Sequence, residues 1–488
     1  MTVDTPDFVM PDFSLALPEI WMLLMACVVL VVDLYSKDDR RGMTFMLTQF
    51  TLVVAGVLAI TTHWGEPAVT FSGTYVSDSL AGILKVAIAG LGFLSFAYCR
   101  DYLEERGLLK GEYFVLGLFS LLGMMILASA HNLLTVYLGL ELLALTLYAM
   151  VAFNRDNLQA TEAGMKYFVL GAIASGILLY GMSLIYGATG SLDLAEIAAY
   201  AGDQGANDWL LILGMTMVVV GVAFKFGAVP FHTWMPDVYQ GAPATVALFA
   251  STAPKVAAVA LFIRLLGEGL GPVHDQWQPM IIMLAIASLV VGNLAALAQT
   301  NIKRMLAYST ASHVGFILLG FIAGTAEGYS AALFYAITYG LMSAGAFGLI
   351  ILLSHRGFEA ENISDFKGLN DRSPVMALIM LLLMFSMTGI PGTVGFYAKW
   401  LVLKSVVDVG LVWLAVFAVV FAVIGAFYYL RVLKFVYFDK PETEEAPQGG
   451  SMAMRGLLVA NGIAVLLLGI FPDSLISACM AAFGVSYG

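Results

Sequence analysis

Apolar runs of about 20 residues or more recur along the whole chain, separated by short polar stretches. Fourteen candidate spans can be drawn, at roughly 16–35, 44–62, 78–98, 112–130, 132–153, 161–187, 209–238, 243–267, 277–299, 302–324, 328–354, 374–407, 412–436 and 453–472. About 20 residues of helix cross a bilayer's hydrocarbon core. Inside it every backbone polar group must be satisfied within the segment or by protein. The pattern therefore predicts an all-α polytopic membrane protein of about 14 transmembrane helices. The longest polar stretches are 188–208, 355–373 and 437–452, the last a flexible linker by composition.

Two spans carry breakers. Span 7 is interrupted at Gly227 and Pro230, and span 12 at Gly389–Ile390–Pro391–Gly392. Proline has no N–H to donate and clashes with the preceding turn. The two spans lie five apart, so they cross the bilayer in opposite directions. Spans 4–8 and 9–13 are then expected to be inverted five-helix repeats, each with a broken helix, a pattern that points to a transport site near the midplane. The plain alternative is two unrelated proline kinks. The implied divisions are a three-helix segment at 1–111, repeats at 112–267 and 277–436, and a C-terminal helix within 453–488.

Composition agrees. Hydrophobic residues make up 60% of the chain and charged residues 12%, with mean hydropathy +0.89. A net charge of −11 offers no basic patch for nucleic acid. Cys27, Cys99 and Cys479 are scattered, which suits neither an iron–sulfur cluster nor a cysteine metal site. No glycine-rich nucleotide loop stands between a strand and a helix. The acidic start lacks the basic region of a signal peptide, so the first run is expected to remain as a helix. Sixteen of the 23 Lys and Arg lie in or beside loops that follow odd-numbered spans, against Arg264 and Lys404 on the other side. That bias places the odd loops in the cytoplasm and both termini on the periplasmic side.

The remaining five lysines, Lys85, Lys166, Lys225, Lys255 and Lys399, fall inside spans. A charge at bilayer depth is costly and marks a functional site by default. Lys225 and Lys255 flank the first break. Glu141, mid-span 5, must be paired or protonated, and Lys225 is its expected partner; the two would titrate as a unit. Lys255, His313 and Lys399 are bases of the kind a proton relay uses. Tyr308, Ser309, Thr310 and Ser312 can hold bridging waters, and His313 reads equally as a satisfied core histidine. His232, just after the first break, is a link to the cytoplasmic side. Lys166 and Lys303 lie near helix ends, where snorkelling is the simpler reading. Lys399 follows Pro391 by eight residues, which puts it roughly 12 Å beyond the break toward the exterior at about 1.5 Å per residue. No role is evident for Lys85. Proton or cation movement is the chemistry these residues suit.

The stretch FKFGAVPFHTWMPDVYQGAPATVALFASTAPKVAA, with NIKRMLAYSTASHVGF and SMTGIPGTVGFYAKW, resembles the antiporter-like membrane subunits of energy-converting NADH:quinone oxidoreductase, respiratory complex I. The likeness covers nearly the whole chain. Of the three types in that family, one carries a long lateral C-terminal helix, and this chain stops just after span 14. A second typically has Glu where Lys399 stands. The resemblance implies a proton relay through Glu141, Lys225, Lys255 and Lys399, with His232, His313, Lys166 and Lys303 at polar positions of less defined role. It implies no cofactor or metal in this chain, with FMN, iron–sulfur clusters and quinone held by partner subunits. The implied partners are an M-type antiporter-like subunit, small membrane subunits, the lateral helix of an L-type subunit, and the lipid of a bacterial inner membrane. The related Mrp-type Na⁺/H⁺ antiporter subunits are the alternative.

Overall fold

A computed structural model describes residues 10–36, 41–63, 66–441 and 450–485. Lys37 and Arg40 of the basic face, most of the 437–452 linker and the extreme N-terminus lie outside the described residues. The chain opens with α1 (Leu17–Tyr35) and α2 (Gly42–Thr62), then a short hairpin of β1 (Ala68–Thr70) and β2 (Tyr75–Ser77), then α3 (Ser79–Glu105). The antiparallel hairpin, Val69 opposite Val76, is the one departure from an all-helical chain among the described residues. Next come α4 (Gly111–Ala128), α5 (Leu133–Val151) and α6 (Leu158–Thr189). The expected 188–208 loop contains a helix, α7 (Leu194–Asp203), whose apolar side buries Leu194, Ile197 and Ala201.

Span 7 is two helices, α8 (Trp209–Phe226) and α9 (Trp234–Gly241). Span 8, expected to be continuous, is also divided. It runs as α10 (Ala244–Ser251), α11 (Ala253–Phe262) and a π-helical turn over Ile263–Gly269. Pro254 near the start of α11 is the sequence signal for that division, because proline suits a helix's first turn and not its interior. Then follow α12 (His274–Leu297), α13 (Ile302–Ile322), α14 (Ala326–Leu353) and the short α15 (Leu369–Arg372). Span 12 is broken as expected, into α16 (Pro374–Thr388) and α17 (Val394–Asp408). The chain ends with α18 (Val412–Tyr437), α19 (Met452–Ile470) and α20 (Asp473–Ala481).

Thirteen helical stretches among the described residues are long and apolar enough to cross a membrane. With the divided α16–α17 they account for the fourteen expected spans. Span 8, α13 and α14 are enclosed by protein on almost every side, whereas α1, α18 and α19 keep most of their apolar surface outward. An apolar helix buried on all sides is a core helix, and one apolar on its outside faces lipid or another subunit. Lys255 and Arg264 of span 8 and Ser309, Thr310, Ser312 and His313 of α13 therefore lie inside protein.

Candidate proton-relay site

Gly227 closes α8 in the left-handed region, at φ +76°, where glycine carries no steric cost. Ala228 N donates to the Ala223 carbonyl at 2.9 Å and Gly227 N to that of Phe224 at 3.0 Å, closing the helix end. The Phe226 carbonyl accepts from Lys255 Nζ at 2.9 Å, across from α11. The Trp234 ring lies 5.4 Å from the same ammonium, and Trp234 Nε1 donates to the Phe224 carbonyl at 3.1 Å. Lys255 is 1% exposed, and no carboxylate stands within 4.0 Å of it among the described residues. A buried cation held by a helix's negative end and an aromatic face, without a counter-ion, is costly to keep.

Span 12 repeats the device. Gly389 has φ +92°, and Ile390 N donates to the Phe385 carbonyl at 3.0 Å. Lys399 Nζ donates to the carbonyls of Met387 (3.1 Å) and Thr388 (2.7 Å). The halves approach closely because position 395 is glycine; a Cβ there would lie 1.9 Å from the Ser386 carbonyl oxygen. The Lys399 ammonium therefore sits at the break, not 12 Å beyond it. Side chains on a helix tilt toward its N-terminus, and the lysine stem folds back along α17. Lys255, not Lys225, does at the first break what Lys399 does at the second.

Lys225, on the last turn of α8, and Lys255 both line a cavity of about 20 Å³ with Tyr167 and Trp234. That is room for about one water. Glu141 is near enough for its charge to act on Lys225. The two form no ion pair within 4.0 Å, and Glu141 Oε1 is buried without a hydrogen-bond partner among the described residues. The expected ion pair is thus not formed as a contact within 4.0 Å.

His313 is 3% exposed and bonded at both nitrogens: Nδ1 to Tyr335 Oη at 2.8 Å and Nε2 to Tyr429 Oη at 2.9 Å. Tyr429 also bonds Ser309, and Thr310 bonds Tyr339 Oη at 2.6 Å. Ser312 accepts from Asn293 Nδ2 at 2.9 Å. Three of the four hydroxyl residues expected to hold waters are thus engaged by side chains. Lys399 lies 5.0 Å from the Phe316 ring, which stacks on Tyr335, so two rings, Tyr335 and Phe316, separate His313 from Lys399. On the other side, the buried Tyr239 of α9 brings a hydroxyl without a partner to Thr310 and Tyr339. Tyr167 stacks on Trp234 at 4.5 Å, joining that side to Lys255. These tyrosines escaped the sequence reading; the spacing of Tyr335 and Tyr339, four apart on one face of α14, was their available signal.

Of the remaining residues, His232, Lys166 and Lys303 lie toward the basic face, and Lys85 lies toward the opposite one, two turns from Asp78. His232 keeps Nδ1 buried without a partner, its ring 6.0 Å from Tyr308. Lys166 is an exposed lysine, bridged to Glu162 and Asp237 at 2.9 Å each, and Arg304 binds Asp237 at 2.8 Å. Lys303 does not snorkel. It is 2% exposed and pairs with Glu361 at 2.8 Å, because the 355–363 segment folds over it. Both line a cavity of about 670 Å³ with Glu104, Glu105, Arg106 and Arg356. Lys85 binds Glu19 at 2.6 Å, Tyr75 at 2.8 Å and His63 at 3.0 Å. Among the described residues no group of three His, Cys, Asp or Glu is placed to hold a metal ion.

Residues 130–425 match the family described as NADH:quinone oxidoreductase/Mrp antiporter, TM. The chain is 93% identical, over the full length of both, to the NADH-quinone oxidoreductase subunit N of Alkalilimnicola ehrlichii. A chain of respiratory complex I from Thermus thermophilus with bound aureothin superposes with TM-score 0.80 at 31% identity, over 94% of this chain and 98% of that one. A chain of the Mrp complex from Dietzia superposes with TM-score 0.83 at 19% identity, over 97% and 96%, which shows a shared fold alone. With lysine-capped helix breaks in a fourteen-span bundle and relatedness of this extent, the chain belongs to the NADH:quinone oxidoreductase/Mrp antiporter transmembrane family.

Proposed function

We propose that this chain is the N-type membrane subunit of a proton-translocating NADH:quinone oxidoreductase and carries protons through a buried relay. It does no redox chemistry. FMN, iron–sulfur clusters and quinone reside in partner subunits, and quinone reduction there drives the relay. The neighbours are an M-type antiporter-like subunit, small membrane subunits and the lateral helix of an L-type subunit. The complex sits in a bacterial inner membrane with the basic face in the cytoplasm and both termini in the periplasm.

The observation that carries this reading is the pair of lysine-capped breaks. Lys255 and Lys399 each rest on the freed carbonyls of a half-helix, and Tyr239, Tyr339, Tyr335 and His313 lie between them. The like construction of the two breaks supports inverted repeats over spans 4–8 and 9–13. Glu141 tunes Lys225, which passes its proton to Lys255 across the one-water cavity. His232, Lys166 and Lys303 serve the cytoplasmic side, and Lys399 serves the exit. The test is Lys225→Ala: the complex assembles and proton pumping, read as quenching of a pH-sensitive dye in inverted vesicles, is lost or greatly reduced. Normal pumping in an assembled variant overturns the relay.

A further inference from the structure

Helices α1–α3 precede the matched residues 130–425 and contribute nothing to the relay described above, yet they hold two densely bonded buried charges, Lys85 of α3 and Arg264 of span 8. Lys85 spends all three ammonium donors on Glu19 of α1, Tyr75 of β2 and His63 at the end of α2. Arg264, in the π turn of span 8, is 1% exposed. Its Nη1 and Nη2 bind both oxygens of Asp78 at 2.8 and 2.9 Å, Nη1 also binds Glu268 at 2.6 Å, and Nε and Nη2 bind the Ala128 carbonyl at 3.1 and 2.8 Å. Those are the five donors a guanidinium has. Bidentate carboxylate pairing fixes orientation as well as distance. We propose that α1–α3 form a strut that sets the position of Lys255, with Arg264 as the positioning residue.

The argument rests on where span 8 is divided. Its middle piece, α11, is ten residues long and carries Lys255. One end is the break at Thr252 and the other is the π turn that begins at Ile263. A helix interrupted on both sides can shift as a unit unless each end is held. Helix α3 holds both. Asp78, its N-cap, grips Arg264, and Ser95 Oγ lies 3.2 Å from Thr252 Oγ1. α3 therefore runs antiparallel to α11 and touches it at the two ends of the Lys255 piece. Lys85, two turns in from Asp78, ties α3 in turn to α1 and α2. Arg264 also reaches the end of α4 through Ala128. A π turn in a helix often marks a functional site; here it aims the guanidinium at Asp78. The bond from Lys255 to the Phe226 carbonyl depends on this setting, since a shift of α11 by about 1 Å separates donor from acceptor.

The inference rests on the reading of Lys255 as a relay group, so Lys255→Ala serves as the reference. The experiment uses the intact complex in inverted membrane vesicles, reading complex content, NADH-driven turnover, proton pumping and the pH profile of turnover. Arg264→Gln is expected to assemble and to lose pumping-coupled turnover about tenfold, in keeping with the cost of misplacing a reacting group. Its pH profile should move, because the surroundings of Lys255 change, and Arg264→Lys should recover part of the loss. Thr252→Val, which removes the inner tie to Ser95 together with the Thr252 Oγ1 bond to the Phe249 carbonyl and leaves Arg264 in place, should shift the profile in the same direction with a smaller loss. Wild-type turnover and profile in assembled Arg264→Gln overturn the strut, as does a loss with an unmoved profile that Arg264→Lys does not relieve. Should Arg264→Gln fail to assemble, an unmoved profile in Thr252→Val overturns it. Wild-type pumping in Lys255→Ala overturns the relay reading and the strut together; loss there with no effect at Arg264 or Thr252 overturns the strut alone.

Discussion

At the scale of single residues, the proposed relay uses Lys255, buried without a carboxylate within 4.0 Å among the described residues, and the partly buried Lys225 and Lys399. Glu141 forms no ion pair with Lys225 within 4.0 Å, so the proposed coupling between them would act through the carboxylate's field. Replacing Glu141 with Ala should lower pumping, and Glu141→Asp should lower it less. Residues whose effects pass through each other combine less than additively. The double replacement at 141 and 225 should therefore cost little more than Lys225→Ala alone, and additive losses in turnover would show that the two act separately. Lys399 offers a second test. Its ammonium caps two carbonyls at the break, beside the exposed Pro391 and Gly392. Lys399→Ala should block turnover, whereas Lys399→Glu, which can still take and release a proton, should retain part of it. Equal loss in both would remove proton cycling from this position.

At the scale of elements, the proposed relay draws on helix ends placed inside the bundle. Gly389 allows the left-handed turn that ends α16, and a Cβ added there would meet Lys399 Cδ at 2.9 Å. Gly410, between α17 and α18, has φ +82° with nothing within 4 Å of an added Cβ. Alanine at either position suffers a similar backbone penalty of about 1–2 kcal/mol. Only Gly389→Ala also displaces Lys399. Thermal stability of the complex should fall comparably in both variants, and pumping should fall in Gly389→Ala alone. Comparable pumping in the two would mean that the capped break is scaffolding.

At the scale of the whole molecule, outward apolar surface on α1, α5, α6 and α18 offers ample area for lipid and neighbouring subunits. If this chain serves a redox-driven pump, affinity purification from detergent-solubilised native membranes should bring down an NADH-oxidising assembly. Proton uptake by the reconstituted assembly should be indifferent to replacing Na⁺ with K⁺. Isolation with no flavin or iron–sulfur absorbance, together with Na⁺-dependent proton exchange, would favour the Mrp-type reading.

The run of apolar segments determined the membrane class, the number of crossings and the two broken helices, because bilayer thickness and the missing proline N–H act locally along the chain. The motifs around Gly227–Lys255 and Gly389–Lys399 carried the family for the same reason: their chemistry lies within a few turns of one segment. What only the tertiary structure decided is which groups meet. A lysine side chain can reach back along its helix, so position in the chain misplaced the Lys399 ammonium by several residues. Lys303 near a helix end read as an interfacial residue until the 355–363 segment folded over it. Lys85 had no visible role because its partners come from α1, α2 and the hairpin, and Arg264 read only as one of two basic residues on the side opposite the basic loops. Pairings between distant segments depend on packing direction and rotation about each helix axis, and apolar periodicity is silent about both when a helix is apolar all round.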